Sequence, residues 1–372
     1  MIRILFFIET LTGGGAEKVL RDLVNHMDQS IFDITVQTAF PCEASKYLVP
    51  GIHYKSMYAS ESKASHLRYR AEAESGLAYR LHIRDDYDIE CAYLEMGSTK
   101  VMSASTNKKA KKLAWIHCDI LKALDNPEEF VQKTARWYEK YDQVVCVSQT
   151  AKISFDELFQ NRFRSAVLYN VIDDINIREK AMSPMTIPAA KKRTTVLSVG
   201  RLSYPKRFLR LLMAHKRLLE EGLPHDLWVL GDGPERELLE QYISENNLQD
   251  SVWMPGFVEN PYPYMKTADV LACSSVYEGF STFATEGIVL GKPFVTTNVS
   301  GMKELLGDSE YGMIVENDDD SFYLGLKRMI QDDALRKQFA DSAKQRSKAF
   351  SAAHLVEEAE RFFEKLVCPN PS

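Results

Sequence analysis

The segment Tyr277-Glu278-Gly279-Phe280-Ser281-Thr282-Phe283-Ala284-Thr285-Glu286 sets two carboxylates eight residues apart on either side of a tight turn. The run before it, Asp269-Val270-Leu271-Ala272-Cys273-Ser274-Ser275, is short and apolar, as a buried parallel strand should be. Ser281 or Thr282 can cap a helix that begins at the turn. A strand, a turn and a helix in that order leave the first helical N–H groups free and aim the positive end of the dipole at an anion. An anion flanked by carboxylates that grip hydroxyls has the outline of a phosphorylated sugar. The spacing alone fits equally well an ordinary turn carrying two solvated glutamates.

Four further loops could serve the same chemistry. Gly200-Arg201-Leu202, with Lys206, offers a guanidinium fork and a compact ammonium to a diphosphate. Thr12-Gly13-Gly14-Gly15-Ala16-Glu17 opens a helix with three glycines, which allow close backbone approach to a phosphate. It lacks the GxGxxG spacing of a dinucleotide site. Gly231-Asp232-Gly233-Pro234, with proline at the first helical position, and Gly256-Phe257-Val258 are turns whose backbone could border a base. His117, in Trp115-Ile116-His117-Cys118-Asp119, ends another apolar run and is placed to contact a ligand; Asp119 is a weaker candidate.

The elements that position these groups alternate between strand and helix. Strand patterns cover Ile2–Glu9, Ile34–Ala39, Ile89–Leu94, Lys112–Cys118 and Val144–Ser148, with helices over Ala16–Met27, His66–Ile83 and Pro127–Tyr141. Glu179–Thr194, with two prolines and Lys191-Lys192-Arg193, reads as a linker. A second series follows, with strands at Thr195–Val199, Leu227–Leu230, Ser251–Met254, Val270–Ser274 and Phe294–Thr297. Alternation of this kind predicts parallel sheets covered by helices on both faces. The expected organisation is a first Rossmann-like domain over 1–185, a second over 186–350, and a C-terminal helix in 351–372. Two such domains would face each other across a cleft. Each candidate group falls at the carboxyl end of a strand, where open α/β sheets bind ligands.

Composition narrows the class. The chain has 372 residues, a net charge of −6, 45% hydrophobic and 26% charged residues. That suits two soluble globular domains and lacks the basic footprint of a general nucleic-acid binder. Charge is uneven: residues 1–185 hold 24 basic and 25 acidic side chains, leaving 22 and 27 for the rest. The six cysteines form no CxxC pair and no metal-ligand spacing, so buried free thiols in a reducing compartment are expected, and no zinc site. The apolar run at the N-terminus is too short for a signal peptide, and no run approaches the ~20 apolar residues of a membrane span. A cytoplasmic location follows as an expectation, at most peripheral at the inner face of the membrane.

Taken together, these motifs resemble those of the family 4 retaining glycosyltransferases, also called glycosyltransferase group 1, of the polysaccharide-biosynthesis type. The resemblance rests on Gly13-Gly14-Gly15-Ala16-Glu17, the His117 strand, Val199-Gly200-Arg201-Leu202 with Lys206, Gly231-Asp232-Gly233-Pro234, Gly256-Phe257-Val258 and the span from Glu278 to Glu286. Val145-Cys146-Val147-Ser148 and Tyr169-Asn170-Val171-Ile172 also look like family features. It spans nearly the whole chain and implies the two-domain GT-B fold. It further implies that Arg201 and Lys206 hold a donor diphosphate, that Glu286 binds the ribose hydroxyls, and that Glu278 and His117 contact the donor sugar. Gly14, Gly15, Gly231 and Val258 would border the nucleotide. Phe280, Ser281 and Thr282 would offer backbone groups near the sugar and phosphates. Many members have proline where this chain has Ser281 and alanine where it has Gly287; serine preserves capping.

The implied reaction moves a sugar, with retention of configuration, from a nucleotide diphospho-sugar to a saccharide or lipid-linked saccharide in cell-surface glycan synthesis. UDP is the favoured base, and no metal or other cofactor is expected. The basic run Asn107–Lys112 and Arg68, Arg70, Arg80 and Arg84 offer peripheral contact with an anionic membrane. A non-hydrolysing sugar-nucleotide epimerase would need the same nucleotide groups without an acceptor. A non-catalytic nucleotide-sugar-binding scaffold would not need to retain Arg201, Lys206, Glu278 and Glu286 together.

Overall fold

The computed structural model describes residues 1–12, 14–185 and 193–368. Among them, thirteen strands form two sheets. The first contains β1 (Ile2–Phe7), β2 (Phe32–Thr38), β3 (His53–Ser56), β4 (Ile89–Ala92), β5 (Lys111–Ile116), β6 (Gln143–Cys146) and β7 (Ser165–Val167). The second contains β8 (Thr194–Val199), β9 (His225–Leu230), β10 (Val252–Gly256), β11 (Val270–Cys273), β12 (Phe294–Thr297) and β13 (Met313–Val315). The spatial orders are β3-β2-β1-β4-β5-β6-β7 and β10-β9-β8-β11-β12-β13. All pairings are parallel.

Both orders reverse direction once, between β1 and β4 in the first sheet and between β8 and β11 in the second. Such a reversal opens a crevice beyond the carboxyl ends of the two central strands, because their following loops leave toward opposite faces. The central strands are apolar on both sides, as helix-covered parallel strands must be. Leu5, Phe6, Phe7, Val196, Leu197, Val270 and Leu271 are fully buried.

The chain divides into two compact units: Met1–Ile172 together with the segment from Ala352 onward, and Asp173–Ser351. The division falls at Ile172/Asp173 rather than at 185/186. The helix Asp174–Lys180 packs on the second unit, where Arg178 Nε donates to Val289 O at 3.4 Å and Asn260 Nδ2 donates to Lys180 O at 3.0 Å. Of the expected linker, residues 186–192 lie outside the described residues, Glu179 and Lys180 end that helix, and Thr194 already belongs to β8. The C-terminal helix Ala352–Val367 belongs to the first unit. Its Phe363 is fully buried, with ring centroids 6.0 Å from Phe6 and 6.3 Å from both Phe32 and Trp115.

Three strands escaped the sequence reading. β3, β7 and β13 are three or four residues long and lie at or near sheet edges, too short for a periodic signal. The single helix expected over His66–Ile83 is two, Lys63–Ser75 and Leu77–His82, broken at Gly76, whose φ of 73° ends the first helix in the left-handed region. Three cysteines are buried as expected, but Cys368 is exposed and Cys42 and Cys118 only partly covered.

Candidate active site

In the second unit, the loops after β8 and β11 border the crevice, and the loops after β9 and β10 support them. Backbone hydrogen bonds weld the four together. Gly200 N donates to Leu230 O at 3.0 Å, Leu202 N to Asp232 O at 2.9 Å, Glu235 N to Leu202 O at 3.0 Å and Gly231 N to Gly256 O at 2.8 Å. Gly231 has φ 148°, and a Cβ there would lie 1.9 Å from Gly200 O. Glycine is thus required by both conformation and space. Pro234 does not open the next helix. Glu235 caps it and the helix runs Arg236–Glu245, because Gly231–Pro234 is spent on the contact with Leu202.

The β11 loop is tied to the β8 loop by Val276 N to Pro205 O at 2.8 Å and by Ser274 Oγ to the carbonyls of Lys206 and Arg207 at 2.9 and 3.0 Å. Arg210 braces this junction from below. It is 6% exposed, and its Nη1 donates to Ser274 O at 3.2 Å and to Asn317 Oδ1 at 2.8 Å, while Nε reaches Asp319 at 2.7 Å. Asn317 Nδ2 in turn donates to Val276 O at 2.9 Å.

On this frame Lys206 Nζ lies 2.6 Å from Glu278 Oε1, which also accepts from Ser275 Oγ at 2.6 Å. Burial alone would push the lysine pKa down; the Glu278 carboxylate outweighs it and holds the pKa above its usual value. Lys206 is therefore a permanent cation with two further N–H donors to offer. Arg201 is exposed, and its guanidinium makes no ion pair among the described residues. The helix Thr282–Val289 follows, with Ser281 Oγ accepting from Ala284 N at 3.4 Å, which leaves the amides of Thr282 and Phe283 without an intrahelical acceptor. The helix thus begins at Thr282 with Ser281 as its cap, one of the two caps the sequence offers. The Phe280 ring is buried 5.7 Å from Phe350, so only the backbone of Phe280 can face a ligand. Glu286, one turn further in, is 7% exposed and accepts from Tyr262 OH at 3.1 Å. Val258 is half-buried beside Gly256, and Phe257 between them is 75% exposed.

The first unit has its own cluster at its strand ends. His117 follows β5, and its backbone N–H donates to the Glu95 carboxylate, which also takes the Cys118 N–H. Burial pushes the imidazole pKa down to about 3 and the Glu95 carboxyl up. The ring bonds the Tyr93 backbone, while Nε2 is buried without a hydrogen-bond partner. A carbonyl can only accept, so the bonded nitrogen is Nδ1–H, and Nε2 presents a lone pair that calls for a donor such as a hydroxyl. Gly14 caps the helix Gly15–His26. The Glu17 carboxylate folds over it, and a Cβ on Gly14 would lie 1.9 Å from Glu17 Oε2. The N-terminus at Gly14 and Gly15 thus already faces a carboxylate of its own helix. Gly13 lies outside the described residues. Asp119 is a helix cap, accepting from Ser154 Oγ at 2.7 Å and Lys122 N at 3.4 Å.

The structure thus brings Arg201, Lys206, Glu278, Ser281, Thr282, Glu286, Gly231 and Val258 together in the second unit, and His117, Gly14 and Gly15 at the strand ends of the first. Ser275, Tyr262, Arg210 and Glu95 were missed. Arg210 did leave a trace, an arginine inside the apolar helical run Phe208-Leu209-Arg210-Leu211-Leu212. Tyr262 left none, being 24 residues from its partner. Among the described residues, no group of three or more His, Cys, Asp or Glu side chains is placed to hold a metal ion. None of the described helices is long and apolar enough to cross a membrane.

Residues 184–346 match the family described as glycosyl transferases group 1. A Campylobacter jejuni protein is 30% identical over 375 residues, covering 97% of this chain and 99% of the relative. It is named N-acetylgalactosamine-N,N'-diacetylbacillosaminyl-diphospho-undecaprenol 4-alpha-N-acetylgalactosaminyltransferase. Another from the same organism, 24% identical over 96% of this chain and 97% of its own length, is an alpha-1,4-N-acetyl-D-galactosaminyltransferase named for a GalNAc-containing diphospho-undecaprenol saccharide. Among solved structures, HepE of Anabaena in complex with UDP superposes with a TM-score of 0.74 at 17% identity, covering 98% of this chain and 100% of HepE. That likeness shows the fold, GT-B. With two Rossmann-like units, the matched C-terminal motifs and a full-length relative, the chain belongs to the group 1 glycosyltransferases.

Proposed function

We propose that the protein transfers a sugar from a UDP-sugar, with retention of configuration, to a saccharide carried on a polyprenyl diphosphate. N-acetylgalactosamine is the favoured sugar, since both Campylobacter relatives are named as N-acetylgalactosaminyltransferases. UDP is favoured by the bound nucleotide of HepE. The observation that carries the reading is the Lys206 cation fixed by Glu278 at the β8/β11 reversal, with exposed Arg201 on the same loop.

In this reading Arg201, Lys206 and the amides of Thr282 and Phe283 hold the diphosphate and stabilise the charge that grows as it leaves. Glu286 accepts from the ribose hydroxyls while Tyr262 holds its other side. Glu278 accepts from a hydroxyl of the donor sugar, and the His117 lone pair from another. The leaving phosphate takes the acceptor proton on the face it departs from. No metal or other cofactor is assigned a role. Peripheral contact with an anionic membrane would rest on exposed Arg70, Arg80 and Arg84 with Leu67, Leu77 and Leu81 beside them; Arg68 is already paired with Glu72 at 2.6 Å.

The test is incubation with UDP-N-acetylgalactosamine and a short-chain polyprenyl diphosphate bearing a terminal N-acetylgalactosamine, with the product anomer read by NMR. An α-linked product and released UDP are expected. A β-linked product would overturn retention. An isomerised nucleotide sugar formed without acceptor would point to an epimerase instead.

A further inference from the structure

At the β1/β4 reversal of the first sheet, three chemistry-bearing side chains stand at one level. Ala92 of β4 pairs with both Phe7 of β1 and Ala114 of β5. Glu9 lies two residues past Phe7, Glu95 three past Ala92 and His117 three past Ala114. Glu95 is consumed by the N–H groups of His117 and Cys118. Glu9 is not consumed. Its Oε1 accepts from Tyr69 OH at 2.8 Å, and Oε2 has no hydrogen-bond partner among the described residues. The carboxylate rests on the backbone of Gly97, where a Cβ would lie 2.0 Å from Oε2 and 2.6 Å from Oε1. The residue before, Met96, sits at φ 61° and ψ −98°, a costly conformation for a side chain with a Cβ. A side chain at position 97 would therefore have to displace the Glu9 carboxylate from where it rests.

A half-buried carboxylate with no cation paired to it among the described residues, held by one phenol and open on its other oxygen, can accept further hydrogen bonds and make none as a donor. At the end of β5, one strand beyond β4 in the same sheet, His117 Nε2 likewise only accepts. A phosphate would be repelled here, whereas a neutral sugar brings hydroxyl donors. Resting on the transferase reading above, we infer that Glu9 is an acceptor-binding residue, accepting hydroxyl hydrogen bonds from the terminal sugar of the saccharide acceptor. Tyr69 and Gly97 set its position. Burial and the Glu9 charge hold the Tyr69 phenol well above its usual pKa, so it stays a donor at neutral pH.

The experiment titrates methyl α-N-acetylgalactosaminide onto the UDP-saturated protein by saturation-transfer NMR, with UDP affinity measured separately by calorimetry. The glycoside is expected to bind the wild type. In both Glu9→Gln and Gly97→Ala its affinity should fall tenfold or more, with UDP affinity within twofold and the melting temperature of Glu9→Gln unchanged. Tyr69→Phe should weaken the glycoside by less. Equal glycoside binding in wild type and Glu9→Gln, or none in the wild type, would overturn the assignment. Failure of UDP itself to bind would instead count against the transferase reading.

Discussion

Lys206 Nζ and Ser275 Oγ converge on one oxygen of Glu278, each at 2.6 Å. The lysine sits on the loop after β8 and the other two on the loop after β11, so the pair closes the reversal point of the second sheet across its two central strands. The cation is therefore aimed before any nucleotide arrives. In a water-poor site a preset charge acts on the transition state without reorganising. Lys206→Ala should lower kcat by roughly 10²- to 10³-fold with an unchanged circular dichroism spectrum. A turnover within threefold of wild type would remove Lys206 from the chemistry.

Glu286 and Tyr262 make a separable contribution. Glu286→Ala should weaken UDP about tenfold or more, the effect of a lost hydrogen bond to a charged group. Tyr262→Phe should weaken it by a few-fold, since only the orientation of the carboxylate suffers. Calorimetric titration of UDP onto each variant checks both, and an undiminished affinity in Glu286→Ala would contradict the ribose role.

Gly231 couples stability to the site. Its φ of 148° and the 1.9 Å approach of Gly200 O to a built Cβ mean that Gly231→Ala must push apart the loops after β8 and β9. A loss of more than about 1 kcal/mol is expected, together with weaker UDP binding. Urea midpoints and a UDP titration measure the two effects.

The second unit carries an acid-sensitive core. His215 and His225 are fully buried, with His215 Nδ1 2.8 Å from His225 Nε2, His215 Nε2 2.9 Å from Ser251 Oγ, and His225 Nδ1 2.8 Å from Leu223 O. The carbonyl fixes a proton on His225 Nδ1, so His225 Nε2 accepts from His215 Nδ1–H. A second proton on His225 would set two donors face to face, and on His215 it would place an unscreened charge in the core. Burial pushes both pKa values down, that of His215 to about 3. The unfolded chain takes up protons near pH 6.5 while the folded one does not. Stability is then full above that pH and falls as the pH drops, by about 1.4 kcal/mol per unit for one such histidine. Denaturant unfolding at pH 7 and pH 5 should show the loss, and His215→Gln should reduce the difference between them. An equal pH dependence in both proteins would contradict the account.

The C-terminal helix closes the first core. Phe363→Ala removes a ring packed among Phe6, Phe32 and Trp115, and should cost about 3–5 kcal/mol. Differential scanning calorimetry of the variant measures it.

The alternation of apolar runs with amphipathic ones made both sheets readable from sequence, and glycine and charge at strand ends marked where ligands would go. Local motifs carried Lys206, Glu278 and Glu286, because strand, turn and helix are contiguous there. The parts that stayed hidden join residues distant in sequence. Tyr262 meets Glu286, Arg210 meets Asn317 and Asp319, and Tyr69 meets Glu9 only after the sheets have formed. At Gly14–Gly15 the spacing suits a phosphate, and only the structure adds that the Glu17 carboxylate of the same helix folds over the loop. Edge strands of three or four residues are set by pairing with a neighbour and have no period of their own.

The most direct measurement is a calorimetric titration of UDP, in the absence of divalent metal, onto wild type and the Arg201→Ala/Lys206→Ala double variant. Saturable 1:1 binding to the wild type, weakened at least a hundredfold in the double variant, is the expected result. No binding to the wild type, or the same affinity in both proteins, would contradict a nucleotide diphosphate site at the β8/β11 reversal.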